Sequence, residues 1–396
     1  MLRMFPQTRV AAFLDRPNRF QVRCRLDGRT VSAFLPNPGR LRELLLPGRP
    51  VYLVREVGSS GRKTSYTAVA VERQGRPILL HTHRTNEAAR ALLEMGAVPF
   101  LRGAQIKDSE VRSGRNRFDF LLEQSGRRTY LEVKSCTLAG TRVAMFPDAV
   151  TERGARHVRD LAALAERGVS SAVLFVVHWP EARVFLPDFH TDPVFARTLL
   201  ECRDRVSVAA VAVGWTSSLT LSGEVRVLEI PWDVLERENQ DRGSYLLVLR
   251  VPRVASLEVG ALGQIRFPAG FYVYVGSAMA GLSARLARHR RRRKRMHWHI
   301  DWLASSARIV DTLPIRSSER LECDLARAMA GFASDRVPGF GCSDCSCESH
   351  LFRMPMNPLY MQPFHDLLAW FRMDRLVPGS LTGATPISGH PKQLKS

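Results

Sequence analysis

The stretch RFDFLLEQSGRRTYLEVKSC (117–136) constrains the fold more than any other. Two runs of strand length flank a polar turn, EQSGRRT, so the chain here reads as a β-hairpin. Strand interiors want apolar side chains, yet Asp119 sits in the first run and Glu132 and Lys134 in the second. Residues i and i+2 of a strand share a face, so Glu132 and Lys134 project together while Val133 turns into the core. If the two runs pair, Asp119 comes beside Glu132. Two adjoining carboxylates in a half-buried place repel, and each is costly unless a cation joins them. Carboxylates, phosphate oxygens and water together suit Mg2+ or Mn2+. A lysine at such a site orients the attacking water or neutralises charge on the phosphate. A salt-bridged hairpin on a solvated face is the plain alternative.

Charge points to the partner. The 396 residues carry 58 Lys+Arg and 38 Asp+Glu, a net charge of +20. The excess is uneven. Residues 1–82 hold 15 basic and 5 acidic side chains, 83–242 hold 22 of each, and 243–355 hold 17 and 9. Two basic modules flanking a neutral one concentrate a polyanion, and nucleic acid is the commonest; the charge does not separate DNA from RNA. No apolar run is long enough to span a membrane, and the N-terminus lacks a signal-peptide pattern, so a cytoplasmic protein without a membrane partner is expected. The sequence leaves the oligomeric state open.

Turn signals divide the chain. Residues 1–82 alternate short β-like runs with turns and predict a small barrel. Residues 83–235 predict an α/β domain: a helix over NEAARALLEM (86–95) capped by its Asn, the hairpin, a helix from Thr151, the strand AVLFVV, a helix near 193–203 and the strand SVAAVAV. The polar ERENQDRG (236–243) reads as a linker. A second α/β unit is expected over 243–355, and 356–396 reads as a partly disordered extension.

FPDAVTERGARHVRDL (146–161), LPNPGRLRELLLPG (35–48) and GRKTSYT (61–67) occur in an order that resembles the SfsA, or sugar fermentation stimulation, family, over about residues 5–233. The resemblance implies an OB-fold barrel followed by a PD-(D/E)XK nuclease-like domain, with DNA binding and metal-dependent nuclease activity. In that fold Asp119, Glu132 and Lys134 match the catalytic motif. Many members add a helix acid. The aligned position here is Ala91, so Glu87 or Glu94 is expected to substitute. Arg153 and His157, four apart on one helix face, are expected to contact phosphate. Asn37, Arg40, Arg62 and Lys63, on or near barrel turns, are expected to line a single-strand groove.

GSYLLVL (243–249), GFYVYVGSA (270–278), GLSARLARH (281–289), HWHIDWL (297–303) and GFGCSDCSCESHLF (339–352) together resemble a divergent GIY-YIG nuclease-like family. By that motif Tyr245 and Tyr274 are the paired tyrosines, Arg285 the helix arginine and Glu322 the carboxylate that holds Mg2+. The run RHRRRRKRMHWH (288–299) includes Arg288, Arg291 and Arg292 and is dense enough to predict phosphate contact. His297, His299 and Asp301 read as a local structural cluster. Cys342, Cys345, Cys347 and His350 give C-x2-C-x-C-x2-H, four N/S donors that suit tetrahedral Zn2+; a compact loop of reduced thiols is the alternative. The expected function is metal-dependent phosphodiester hydrolysis on nucleic acid. The alternative is a non-catalytic DNA-binding regulator of sugar-metabolism genes.

Overall fold

A computed structural model describes residues 2–56, 64–114, 116–291 and 293–377. Arg62, Lys63 and Arg292 lie outside the described residues. The described residues form two compact units that divide between Glu236 and Arg237.

Unit one opens with β1 (Arg9–Asn18), β2 (Gln21–Leu26), β3 (Arg29–Phe34), β4 (Pro50–Arg55), β5 (Tyr66–Arg73) and β6 (Arg76–Leu79). Strict alternation makes the strands amphipathic: Val22, Cys24 and Leu26 are buried while Arg23 and Arg25 point out. The strands pair β3-β2-β1-β4-β5, and a parallel β3–β5 contact closes them into a five-stranded barrel with β6 appended to β5. Closure leaves the barrel strands no free edge.

Next come α1 (Thr85–Glu94), β7 (Gln105–Ser113), β8 (Asn116–Gln124), β9 (Arg127–Cys136), β10 (Leu138–Ala139), β11 (Val143–Phe146), α2 (Glu152–Ala165), β12 (Ser170–Val177), β13 (Val184–Pro187), α3 (Pro193–Glu201), β14 (Ser207–Trp215), β15 (Leu221–Val227) and α4 (Trp232–Glu238). The main sheet runs β15-β14-β12-β9-β8-β7, with β9, β12 and β14 parallel. β12 is buried from Ser171 to Val177, because its two faces lie in different cores. Ala172, Leu174 and Val176 pack with α1, and Val173, Phe175 and Val177 with α2 and α3. Burial on both faces explains a continuous apolar run in place of alternation.

The hairpin turn is tighter than its polar composition implies. β8 and β9 are joined by Ser125 and Gly126 alone, at φ +49° and +76°, which fits the two-residue turn whose twist matches the strands. Asn86 does not cap its helix. α1 starts one residue earlier, with Arg84 at the cap position and no side-chain cap bond. Thr151 does cap α2, its hydroxyl accepting from the Gly154 N–H at 3.0 Å.

Unit two contains β16 (Gly243–Val251), β17 (Ala255–Glu258), β18 (Gln264–Phe267), β19 (Gly270–Ala278), α5 (Leu282–Arg290), α6 (His299–Ser306), β20 (Arg308–Arg316), α7 (Glu322–Ala330), β21 (Asp335–Arg336), β22 (Leu351–Met354) and α8 (Gln362–Arg372). Its antiparallel sheet runs β20-β16-β19-β22-β21. α5 and α6 cover the face of Tyr245, Leu247 and Tyr274; α7 and α8 cover that of Leu246, Val248 and Val273. One expectation is corrected: the unit does not end near 355, because Phe364, Leu367, Leu368 and Phe371 of α8 enter its core. The stretch 236–243 holds the division between the two units; it begins inside α4, and Glu238 is buried, accepting from the Ser318 N–H at 2.9 Å. Among the described residues, no helix is long and apolar enough to cross a membrane.

Candidate active sites

The β8–β9 ladder runs from Gln124↔Arg127 to Phe120↔Leu131 and stops there. At the next position Asp119 replaces a backbone acceptor: its Oδ2 takes the Val133 N–H at 2.7 Å. Phe118 and Phe120, which a regular strand would place on one face, enter different cores. β8 itself continues through Asp119, whose carboxylate lies where the β8–β9 pairing ends. Its other oxygen accepts from Asn86 Nδ2 of α1 at 2.8 Å. The sequence reading missed this residue by treating it as a cap. Glu87 and Glu94 do not fill the expected helix-acid role: Glu87 pairs with Arg84 at 2.6 Å, and Glu94 is exposed.

Glu132 is 5% exposed, and its Oε1 receives both Lys134 Nζ and His157 Nδ1, the latter at 2.6 Å. His157 Nε2 accepts from Arg153 Nε at 3.3 Å. These partners assign the neutral Nδ1–H tautomer, with the imidazole donating to Glu132. His157 is thus buried against a carboxylate, and the expected direct phosphate contact is corrected to a role in holding Glu132. Burial and the neighbouring Glu132 charge raise the Asp119 carboxyl above its ordinary value, against the Val133 and Asn86 bonds. Burial also works to raise Glu132, but the His157 bond and the Lys134 charge outweigh it and hold that carboxyl below its ordinary value. The two neighbouring carboxyls are thus driven in opposite directions.

In the barrel, Asn37 is buried and both ends of its amide are used internally: Nδ2 donates to the Leu80 carbonyl at 3.0 Å, and Oδ1 accepts the Gly39 N–H at 2.9 Å. It shapes the PNPGR turn and offers nothing to a ligand, which corrects the expectation. That turn packs on Asp148, where a Cβ at Gly39 would meet the carboxylate at 2.4 Å. Arg40 is exposed beside it.

In unit two the register sets Tyr245 opposite Gly276, and Leu247 opposite Tyr274. A Cβ at Gly276 would lie 2.5 Å from the Tyr245 phenol, so the tripeptides GSY (243–245) and YVG (274–276) are sterically matched. Tyr245 is 1% exposed and its hydroxyl shares a 2.8 Å hydrogen bond with His289 Nε2. Burial pushes both phenols upward, against the nearby Arg285 charge. Burial likewise lowers His289 to about 4. The pair is therefore neutral near pH 7. Arg285 lies over the Trp298 ring at 3.9 Å. Glu322 accepts from the Ser277 hydroxyl and from His350 Nδ1, the latter at 3.2 Å. His289 escaped the sequence reading although it lies four residues after Arg285, on the same helical face.

The arginine run is partly structural. Arg288 grips buried Asp301 with bonds of 3.0 and 2.9 Å, and Lys294 adds a third at 3.1 Å. Arg288 is thus tied into the fold, while Arg291, Arg293 and Arg295 are exposed. Asp301 also accepts the His297 and Trp298 N–H groups, and the His299 ring accepts the Gly341 N–H at 3.0 Å.

The four Cys/His donors that meet are Cys323, Cys345, Cys347 and His350, with ligand atoms within 4.8 Å of one another. Cys323, from the first turn of α7, takes the place expected for Cys342. Its position some twenty residues before the loop hid it from a spacing argument.

Family models match along the whole of this arrangement. The SfsA N-terminal OB domain matches residues 14–80, the sugar fermentation stimulation protein RE domain 83–218, and a domain of unknown function, DUF123, which is GIY-YIG-like, 244–369. The sugar fermentation stimulation protein homolog of Moorella thermoacetica is 43% identical over 48% of this chain and 83% of its own length. That of Methanothermobacter thermautotrophicus is 42% identical over 48% of this chain and 78% of its own. The solved structure of Pyrococcus furiosus SfsA in complex with Ca2+ matches with a TM-score of 0.53 and 30% identity, over 58% of this chain and 99% of that one. With its barrel and main sheet matched in order, the chain belongs to the sugar fermentation stimulation protein family and carries a DUF123 domain behind them.

Proposed function

We propose that the protein binds nucleic acid, DNA first, and hydrolyses its phosphodiester bonds at the Asp119–Glu132–Lys134 site of unit one. The observation that supports this best is Asp119, held at the parting of β8 and β9 beside a carboxylate that a lysine and a histidine keep ionised. The donor set fits Mg2+ or Mn2+: hard oxygens of two carboxyls, one of them raised by burial and by the charge of the other. Asp119 and Glu132 would hold the ion, and the relative solved with Ca2+ is consistent with an oxygen-ligand site. Such an ion, when bound, lowers the pKa of water and offsets phosphate charge.

The chain's own residues supply the rest. His157 donates to Glu132 and so fixes the carboxylate that faces the site. Asn86 does the same for Asp119. Lys134, at 15% side-chain exposure, presents its ammonium beside the carboxylates and neutralises a phosphate oxygen. The barrel and the exposed arginines add sequence-independent attraction.

Incubating the full chain with labelled single- and double-stranded DNA and RNA, with and without Mg2+ or Mn2+, tests the reading. Metal-dependent shortening of at least one substrate is expected. Tight binding with no cleavage under any metal would favour the non-catalytic regulator instead.

A further inference from the structure

We propose that Cys323, Cys345, Cys347 and His350 bind one zinc ion, and that this ion positions Glu322 through the His350 ring. The proposal is independent of the phosphodiester chemistry assigned to unit one.

The geometry supplies both parts. A tetrahedral site with metal–sulfur bonds of about 2.3 Å sets neighbouring donors roughly 3.5–3.8 Å apart. The four donor atoms already lie within 4.8 Å of one another. Cys345 Sγ and His350 Nε2 stand at 3.5 Å, the separation of two ligands on one ion. All seven cysteines are free, so no disulfide competes for these thiols. Bonds outside the four donor atoms also hold the loop. The His350 N–H bonds the Phe340 carbonyl at 2.8 Å, the Gly339 N–H the Glu348 carbonyl at 2.9 Å, and the Gly341 N–H reaches His299 Nδ1 at 3.0 Å. These bonds fold the chain back and bring the thiols of 345 and 347 to the α7 cysteine.

Three thiolates with one neutral imidazole favour zinc over the hard cations that suit carboxylates. Binding releases the thiol protons to solvent and changes no oxidation state.

The second part follows from the other ring nitrogen. With Nε2 on the ion, Nδ1 carries the proton and donates to Glu322 Oε1, 3.2 Å away. A ligating histidine backed by a carboxylate is a recurring arrangement that fixes ring orientation. Here it also works in reverse: the ring fixes Glu322, whose other oxygen accepts from Ser277. Gly341 carries the same loop against Tyr274, where a Cβ would come within 2.8 Å of the ring. The metal loop thus abuts both Tyr274 and Glu322.

Native metal analysis of the full chain, purified with neither added metal nor chelator, tests the proposal. One equivalent of zinc is expected, released as an organomercurial titrates the thiols. This measurement needs no variant to fold. Cys342→Ser should keep the zinc, and Cys323→Ser should bind it more than tenfold more weakly. Histidine 15N shifts should show one ring with metal on Nε2 and a proton on Nδ1. Absence of metal with all thiols reactive in the folded protein, iron in place of zinc, or equal zinc loss in both variants would overturn the site. Metal on Nδ1 would overturn the link to Glu322.

Discussion

The two candidate sites bury comparable chemistry in opposite ways. In unit one the groups at the centre are charged. Glu132 and Lys134 are in contact, and Asp119 stands beside them with its carboxyl raised by burial and by Glu132. In unit two the buried groups in contact are neutral, two phenols pushed up by burial and a histidine held unprotonated down to about pH 4, and they are flanked by Arg285 and Glu322. Repelling carboxylates are a liability in a folded chain unless a cation relieves them. Buried tyrosines packed on a matched glycine stabilise the fold with or without a ligand. Unit one thus keeps Asp119 raised beside Glu132 even with Lys134 in contact, a cost that a bound cation would relieve, whereas unit two could keep most of its centre for packing alone.

The comparison can be broken first at Lys134. Its replacement, Lys134→Ala, removes the only cation in direct contact with Glu132 Oε1 among the described residues, leaving the His157 N–H as its hydrogen-bond partner. Cleavage should fall by about 10²–10⁴-fold, the range of a positioned catalytic side chain. Steady-state rates on the best substrate check it, and a loss confined to affinity would remove Lys134 from the chemistry.

Unit two should respond to packing. Gly276→Ala places a methyl 2.5 Å from the Tyr245 phenol, with little slack around a 1% exposed ring. Overpacking of this kind costs about 1–3 kcal/mol, read as a lower denaturation midpoint. An unchanged midpoint would mean the tyrosine has room to move.

Much of this was legible before the fold was known. The hairpin, the Thr151 cap and the barrel follow from period-two alternation, turn residues and a capping side chain, all of which are local. Asp119, Glu132 and Lys134 stood out as charges in strands that want a core. What escaped was set by tertiary contact. Asn86 looked like a cap because capping is the usual use of an Asn before a helix. Cys323 looked solitary because its partners are more than twenty residues away. His157 looked like a surface phosphate ligand because helical spacing says nothing of what the face meets. Asn37 looked exposed because turns usually are.

A smaller effect concerns acid stability of unit one. His178 is fully buried, its Nδ1 accepting from Trp215 Nε1 at 3.2 Å, and burial lowers it to about 3. An ordinary histidine in the unfolded chain protonates near 6.5. Between those values the unfolded chain binds more protons, so stability is full above about pH 6.5 and is lost as pH falls toward 3. Denaturation across that window should show the slope, and His178→Gln should flatten it. An unaltered slope in the variant would assign the acid sensitivity elsewhere.

The smallest effect is electrostatic. Arg291 and Arg293 are exposed, whereas Arg288 is spent on Asp301. Replacing both exposed arginines with Ala should lower the slope of log affinity against log salt by about 0.7–0.9 for each phosphate that is no longer neutralised. No change would place the bound strand away from this helix end.

Hydrolysis, as proposed, belongs to the Asp119–Glu132 pair of unit one and not to the tyrosine site of unit two. Single-turnover cleavage by the full chain, with Glu132→Gln and Glu322→Gln compared at saturating Mg2+ or Mn2+, separates the two. Glu132→Gln should abolish cleavage with binding retained, while Glu322→Gln still cleaves. Full cleavage by Glu132→Gln together with loss in Glu322→Gln would move the chemistry to unit two.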